Sequence, residues 1–167
     1  EPEEGEESVH SVLHGESQYG VASSDLLLLR NTGFHVVLLA NIFQHSPYVF
    51  LSIKSDNADN IHDLAGKSLM LEEHAAELKA YLKLEQIQLE GMDIIPHSFS
   101  PKDLLDSTIF AMSAYATDEP FLLVKEGVEF NTFNPRSSGI DFYGDVLYTS
   151  EDEIQNHPDR TKAFLDA

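Results

Sequence analysis

YGVASSDLLLLRNTG, residues 19–33, reads as a short buried strand, a polar turn at Ser23-Ser24-Asp25, and an apolar helix stopped by Gly33. The same order returns in FAMSAYATDEPFLLVKEG, residues 110–127, with the turn at Thr117-Asp118-Glu119 and Gly127 closing the helix. Two copies of strand, polar helix start and helix, one in each half of the chain, predict two α/β lobes whose helix N-termini face a shared cleft. Such an arrangement serves binding before it serves catalysis.

The composition narrows the partners. With 167 residues, 42% of them hydrophobic, the chain can fill one ordinary core or two small ones. Ten Lys and Arg against 29 Asp and Glu give a formal charge of -19. The basic residues are spread singly from Arg30 to Lys162, which speaks against nucleic acid and against docking on anionic lipid. No apolar run approaches the roughly 18 residues of a membrane span, and the acidic opening EPEEGEES does not read as a signal peptide. Without cysteine there is no disulfide, thiolate metal site or cysteine nucleophile in this span.

Outward from the two repeats, Glu1–Glu7 reads as solvated and Ser8–His14 as a helix ending at Gly15. His10 and His14 have a metal-ligand spacing on a helix but no evident third ligand, so no metal is expected. Residues 35–43 (HVVLLANIF) are nearly continuously apolar, as expected of a strand buried on both faces of a parallel sheet, and Tyr48–Ile53 is a further strand. Polar Lys54–Asn60 reads as the crossing between lobes. Beyond it, strands at Ser68–Leu71, Asp93–Phe99 and Val128–Phe133 alternate with helices at His74–Gln86 and Pro101–Ser107. Ile140–Tyr143 crosses back and Asp145–Tyr148 returns as a strand. Ser150 and Glu153 then form a capping box that opens a helix divided by Pro158. The expected division is 1–54 with 142–167 as the first lobe and 55–141 as the second.

Taken together, YGVASSDLLLLR, NIFQHSPYVFL, DLAGKSLML, PHSF with PKDLLD, AMSAYATDEPF and GIDFYGDVLYTS, in this order, resemble the NMT1/THI5-like family of periplasmic solute-binding domains. The resemblance covers about Ser8–Ala167. It implies an α/β, two-lobed type 2 periplasmic-binding-protein-like fold, found in receptors of importers for thiamine-precursor pyrimidines. The variant carrying QHSP, SAY-x-T-x-EPF and GIDFYGD is similar to the extracytoplasmic sensor regions of bacterial histidine kinases and diguanylate cyclases. Family members begin with a strand, helix and strand before the segment matching Ser8 and continue past Ala167, so the first lobe is expected to be incomplete over this span.

Helix N-termini favour anions, but both starts here carry acids, Asp25 in one and Asp118 with Glu119 in the other, so an amine-bearing ring suits them better than sulfonate or nitrate. Asp25 and Asp118 also read as ordinary helix caps. Glu119 precedes Pro120, and in the resembling family the matching acid lies at the cleft, where it accepts hydrogen bonds from ligand NH groups. Tyr115, at the end of its strand, can stack on a flat ring or pack in the core. His45 and Ser46 follow a strand's carboxyl end, where α/β sheets place ligands. Ser23 and Ser24 can cap the first helix or donate to ligand, and Tyr143 can line the cleft. His97-Ser98 reads as a loop.

No Ser-His-Asp order, GxSxG elbow or phosphate-binding glycine loop is present. The fungal thiamine-pyrimidine synthases of this superfamily depend on a cysteine-rich motif that this chain lacks. The expectation is therefore a non-catalytic, cofactor-free, periplasmic domain that binds a small molecule between its lobes and signals through transmembrane and kinase or cyclase modules of the same full-length chain, with homodimer formation open. An importer's substrate-binding protein and an interaction module without a small ligand are the alternatives.

Overall fold

The computed structural model describes residues 5–167, with side chains from Ser8 onward; the acidic opening read as solvated lies outside the described side chains. The chain divides into two compact units, Glu1–Ser46 with Phe142–Ala167, and Pro47–Asp141. Among the described residues no helix is long and apolar enough to cross a membrane.

The first unit contains helix α1 (Gly5–Leu13), strand β1 (Tyr19–Ala22), helix α2 (Leu26–Asn31) and strand β2 (Val36–Asn41). The chain returns to it as strand β8 (Val146–Ser150), helix α6 (Glu151–Asn156) and helix α7 (Pro158–Leu165), the division at Pro158 being as the sequence predicts. Strand order is β1-β8-β2, and β8 is antiparallel to both neighbours. The parallel, doubly buried strand expected over residues 35–43 is therefore corrected. Among the described residues β2 pairs antiparallel with β8 and is exposed at Ala40 and Asn41, and β1 is likewise only half-buried. An apolar run records the lack of a polar face, not how many layers cover it.

The core of this unit gathers Val9 and Val12 of α1, Leu26, Val36, Val146 and Tyr148. Tyr148 is fully buried on the central strand and faces Gly20, its register partner. A Cβ at Gly20 would lie 2.5 Å from Cζ and Oη of that ring, so glycine here makes room for a tyrosine. Gly20→Ala is expected to destabilise the protein by about 1–3 kcal/mol through overpacking. In urea melts, Tyr148→Leu should recover part of the loss in the double variant, whereas additive losses would contradict the contact.

The predicted capping box forms by half. Ser150 Oγ accepts from the Glu153 amide at 3.1 Å, but the Glu153 carboxylate is taken by Arg160 at 2.7 and 2.5 Å and by the Tyr19 hydroxyl at 3.2 Å. Arg160 holds the Glu153 carboxyl below the usual glutamate range, burial opposes this, and Tyr19 adds to it. A carboxylate with a lowered folded-state pKa stabilises fully above its unfolded value of about 4.3 and loses that contribution as pH falls through the folded value. Arg160→Gln is thus expected to lower the melting temperature at neutral pH, with the difference from wild type shrinking as pH falls below about 4.3 and vanishing below the lowered folded-state value. A difference that stayed constant with pH would assign Arg160 a packing role only.

The second unit holds strands β3 (Tyr48–Ile53), β4 (Ser68–Leu71), β5 (Asp93–Pro96), β6 (Ala111–Tyr115) and β7 (Phe130–Phe133) with helices α3 (Ala76–Leu84), α4 (Lys102–Leu105) and α5 (Glu119–Lys125). Strand order is β5-β4-β6-β3-β7, with β4 parallel to β5 and β6 and β3 antiparallel to β6 and β7. By sequence, β3 belongs with the first lobe and the hand-over falls at Lys54–Asn60. Both edges of β3 are instead occupied by β6 and β7, and the Lys54 amide donates to Glu129 O at 3.0 Å, so this strand lies deep in the second unit.

Strand alternation splits this unit's core into two layers. Tyr48, Phe50, Leu69 and Leu71 pack with Leu78, Tyr81 and Leu82 of α3 on one face. Val49, Leu51, Met70 and Met112 pack with Leu104 of α4 and Leu123 of α5 on the other. β5 ends at Pro96 on the sheet edge, where a residue without an N–H is tolerated.

Candidate functional site

The topology of the second unit selects one place on its sheet. From β4 the chain passes through α3 to β5 on one side, and from β5 it returns through α4 over β4 to β6 on the other. The direction reverses between β4 and β6, and ligands of open α/β sheets bind at the carboxyl ends of the strands at such a reversal. Pairing of β4 with β6 stops at Met70 and Met112. Beyond that the Glu72 amide donates to Ser113 Oγ at 2.9 Å, and His97 Nε2 donates to Ser113 O at 2.7 Å.

Tyr115 ends β6 at this edge and faces Tyr48, its register partner, edge to face with ring centroids 4.6 Å apart. The Tyr48 hydroxyl shares hydrogen bonds with the Glu72 carboxylate and Tyr115; burial above all, then the charge of Glu72, pushes its pKa well above the ordinary tyrosine value. Glu119 Oε2 accepts from the Tyr115 amide at 2.8 Å, so the acid turns back from the first turn of α5 onto the strand. Asp118 is exposed, its carbonyl accepts from Phe121 N at 2.9 Å, and its side chain makes no cap hydrogen bond. The cap role read for Asp118 is corrected, because its backbone (φ -129, ψ -79) is not that of a side-chain cap.

In the first unit, Ala22 and Asn41 flank Val146 from opposite sides, so β1 and β2 both run toward the end of the sheet at which β8 begins. Ser23, Ser24 and Asp25 follow β1 there. His45 and Ser46 follow β2, held by Ser46 N donating to Phe142 O at 2.8 Å and Gly144 N to Phe43 O at 3.0 Å. Tyr143 lies on the same returning segment and is exposed. All six first-unit residues named from the sequence thus gather at one end of that unit's sheet. The cap read for Asp25 is also corrected: it is already helical (φ -57, ψ -21) and makes no side-chain cap bond, while Ser23 Oγ accepts from its amide at 3.4 Å. Leu27 and Leu28 of α2 are more than half exposed, unlike the packed helix that an all-leucine run suggests.

Glu72 and Tyr48 escaped the sequence reading because their partners lie on other strands; only their places next to strand ends signalled them. His97, read as a loop residue, is tied to both β6 and its own loop, since its Nδ1 accepts from Phe99 N at 2.9 Å. A carbonyl on one nitrogen and an N–H on the other fix it as the Nε2–H tautomer. His14 donates from Nδ1 to His10 O at 2.9 Å, and their rings stack at 5.8 Å.

The whole chain, residues 1–167, matches the family model described as NMT1/THI5 like. Among solved structures it is similar to the periplasmic sulfonate-binding protein SsuA of Methylobacillus flagellatus, at 18% identity and a TM-score of 0.70 over 93% of this chain and 48% of that one. It is similar to the alkanesulfonate-binding protein SsuA of Xanthomonas axonopodis pv. citri bound to MOPS, at 10% identity and a TM-score of 0.70 over 93% and 55%. A substrate-binding protein of an ABC uptake transporter from Streptococcus pneumoniae with bound histidine gives 14% identity and a TM-score of 0.62 over 93% and 64%. The chain therefore spans about half to two thirds of the length of these structures, and at such identities the likeness shows the fold alone. A comparison with curated proteins finds no match. With a family match over its full length and the α/β architecture of type 2 periplasmic binding proteins, the chain belongs to the NMT1/THI5-like family.

Proposed function

We propose that this chain is an extracytoplasmic solute-binding domain that senses a small amine-bearing or pyrimidine-like molecule for a bacterial histidine kinase or diguanylate cyclase. The observation that carries the reading is the carboxyl end of the second sheet at the β4/β6 reversal, where Glu72 meets the Tyr48 hydroxyl, Tyr48 packs on Tyr115, and Glu119 accepts from the Tyr115 amide. Carboxylates and phenol oxygens accept hydrogen bonds from ligand NH groups, the aromatic faces suit a flat ring, and the acids repel sulfonate and nitrate. The domain itself needs no catalytic group for this role. Binding shifts an existing conformational equilibrium, and the membrane-bound remainder of the protein reads the shift.

An importer's receptor for the same class of solute is the second reading, favoured by the transporter proteins among the structural relatives. A thermal-shift screen of the domain against aminopyrimidines, thiamine, small amines, sulfonates and nitrate tests the ligand class, since a ligand at ~100 times its Kd adds roughly 2.7 kcal/mol of stability. A rise with amine-bearing rings supports the proposal; a rise with anions alone overturns it. Kinase or cyclase output of the full-length protein with and without the aminopyrimidine separates sensing from import.

A further inference from the structure

Phe99 has the largest fractional exposure of the large apolar side chains among the described residues, 72%, and its backbone sits at φ +56, a conformation that bulky residues rarely adopt. Its loop is built to keep it there. The Phe99 amide donates to His97 Nδ1 at 2.9 Å, and the His97 ring lies 4.7 Å from the Phe99 ring. Ser98 N approaches Met70 Sδ at 3.3 Å, and Ser98 Oγ donates to Asp103 Oδ2 at 2.6 Å. His97 also reaches past the end of β4 to Ser113 O on β6, so this loop spans the point where β4 and β6 part. An exposed aromatic ring in a restrained, rarely adopted conformation, beside the sheet's reversal point, is placed to meet something outside the fold.

We propose that Phe99 is a ligand-contacting residue of the second unit, a plate that takes the face of a planar heteroaromatic amine bound at the β4/β6 reversal, and that His97 is the positioning residue that holds it. This rests on the solute-binding reading above. An aromatic face rewards flat and cationic rings, whereas a flexible alkylamine gains little from it. Phe99 thereby adds selectivity for shape to the acceptors that Glu72 and Glu119 supply.

The chain contains no tryptophan, so Phe99→Trp introduces a single indole reporter. Titration of that variant with an aminopyrimidine is expected to quench the indole, and His97→Ala in the same background should abolish the quench. By calorimetry, Phe99→Ala should raise the Kd of the aminopyrimidine roughly tenfold and leave that of butylamine unchanged, with Phe99→Trp restoring the affinity. An unchanged Kd in Phe99→Ala, alongside weakening in Glu119→Gln, overturns the role of Phe99 and leaves the solute site standing. Equal losses for both amines mark Phe99 as structural and also overturn it. Absence of aminopyrimidine binding in every variant and the wild type removes the amine-bearing-ring reading of the site and this inference together.

Discussion

Phe50→Ala is expected to cost about 3–5 kcal/mol, the usual range for emptying a buried phenylalanine site. Phe50 lies midway along β3, is fully buried, and pairs with Ser113 of β6 on one side and Phe133 of β7 on the other. Its ring lies 6.5 Å from that of Tyr81, and Leu69 and Leu78 belong to the same layer. These neighbours are held by backbone pairing and by α3, so they relax little into the space left behind. Against a total stability of about 5–15 kcal/mol for a domain, this one change brings unfolding within reach. Urea melts should show a lower midpoint with an unchanged slope. A loss below about 1 kcal/mol would contradict the closed layer between the sheet and α3.

Glu119→Gln is expected to raise the Kd for an aminopyrimidine roughly 10- to 100-fold, the range for losing a hydrogen bond to a charged acceptor. The amide oxygen of glutamine can still accept from the Tyr115 N–H, at present 2.8 Å from Glu119 Oε2, so the melting temperature should hardly move. Glu119→Ala removes that acceptor as well and should lower both affinity and stability. The pair of variants separates the two tasks of this carboxylate, bracing β6 and accepting from ligand. Equal affinities for wild type and Glu119→Gln would take Glu119 out of the site.

The sequence carried the alternation of strands and helices in the second unit almost element by element, because β4, α3, β5, α4, β6 and α5 each have local signals: apolar runs, helical spacing, Pro96 and Gly127. The strand–turn–helix repeat was legible for the same reason, and it exists as β1 with α2 and as β6 with α5. What local patterns do not contain is the partner of each strand. β2 reads as doubly buried because no polar face interrupts it, yet among the described strands its neighbour is β8, which comes from the far end of the chain and runs antiparallel. β3 reads as part of the first lobe because it follows β2 in the chain, while its hydrogen bonds go to β6 and β7.

The same limit holds for the site. Glu119 stood out through the Glu-Pro step at a helix start, but the turn of its carboxylate back onto Tyr115 depends on backbone geometry that composition does not report. Asp25 and Asp118 looked like caps by residue type and fail as caps by φ and ψ. Glu72, Tyr48 and His97 become site candidates only once the strand order places three distant segments at one sheet edge.

Isothermal titration of an aminopyrimidine into the domain, run side by side with Glu119→Gln and with a sulfonate as the competing ligand class, tests the central claim most directly. Saturable binding of the aminopyrimidine, weakened in Glu119→Gln, with no heat from the sulfonate, is the predicted result. Binding of the sulfonate alone, or aminopyrimidine binding indifferent to Glu119, would contradict it.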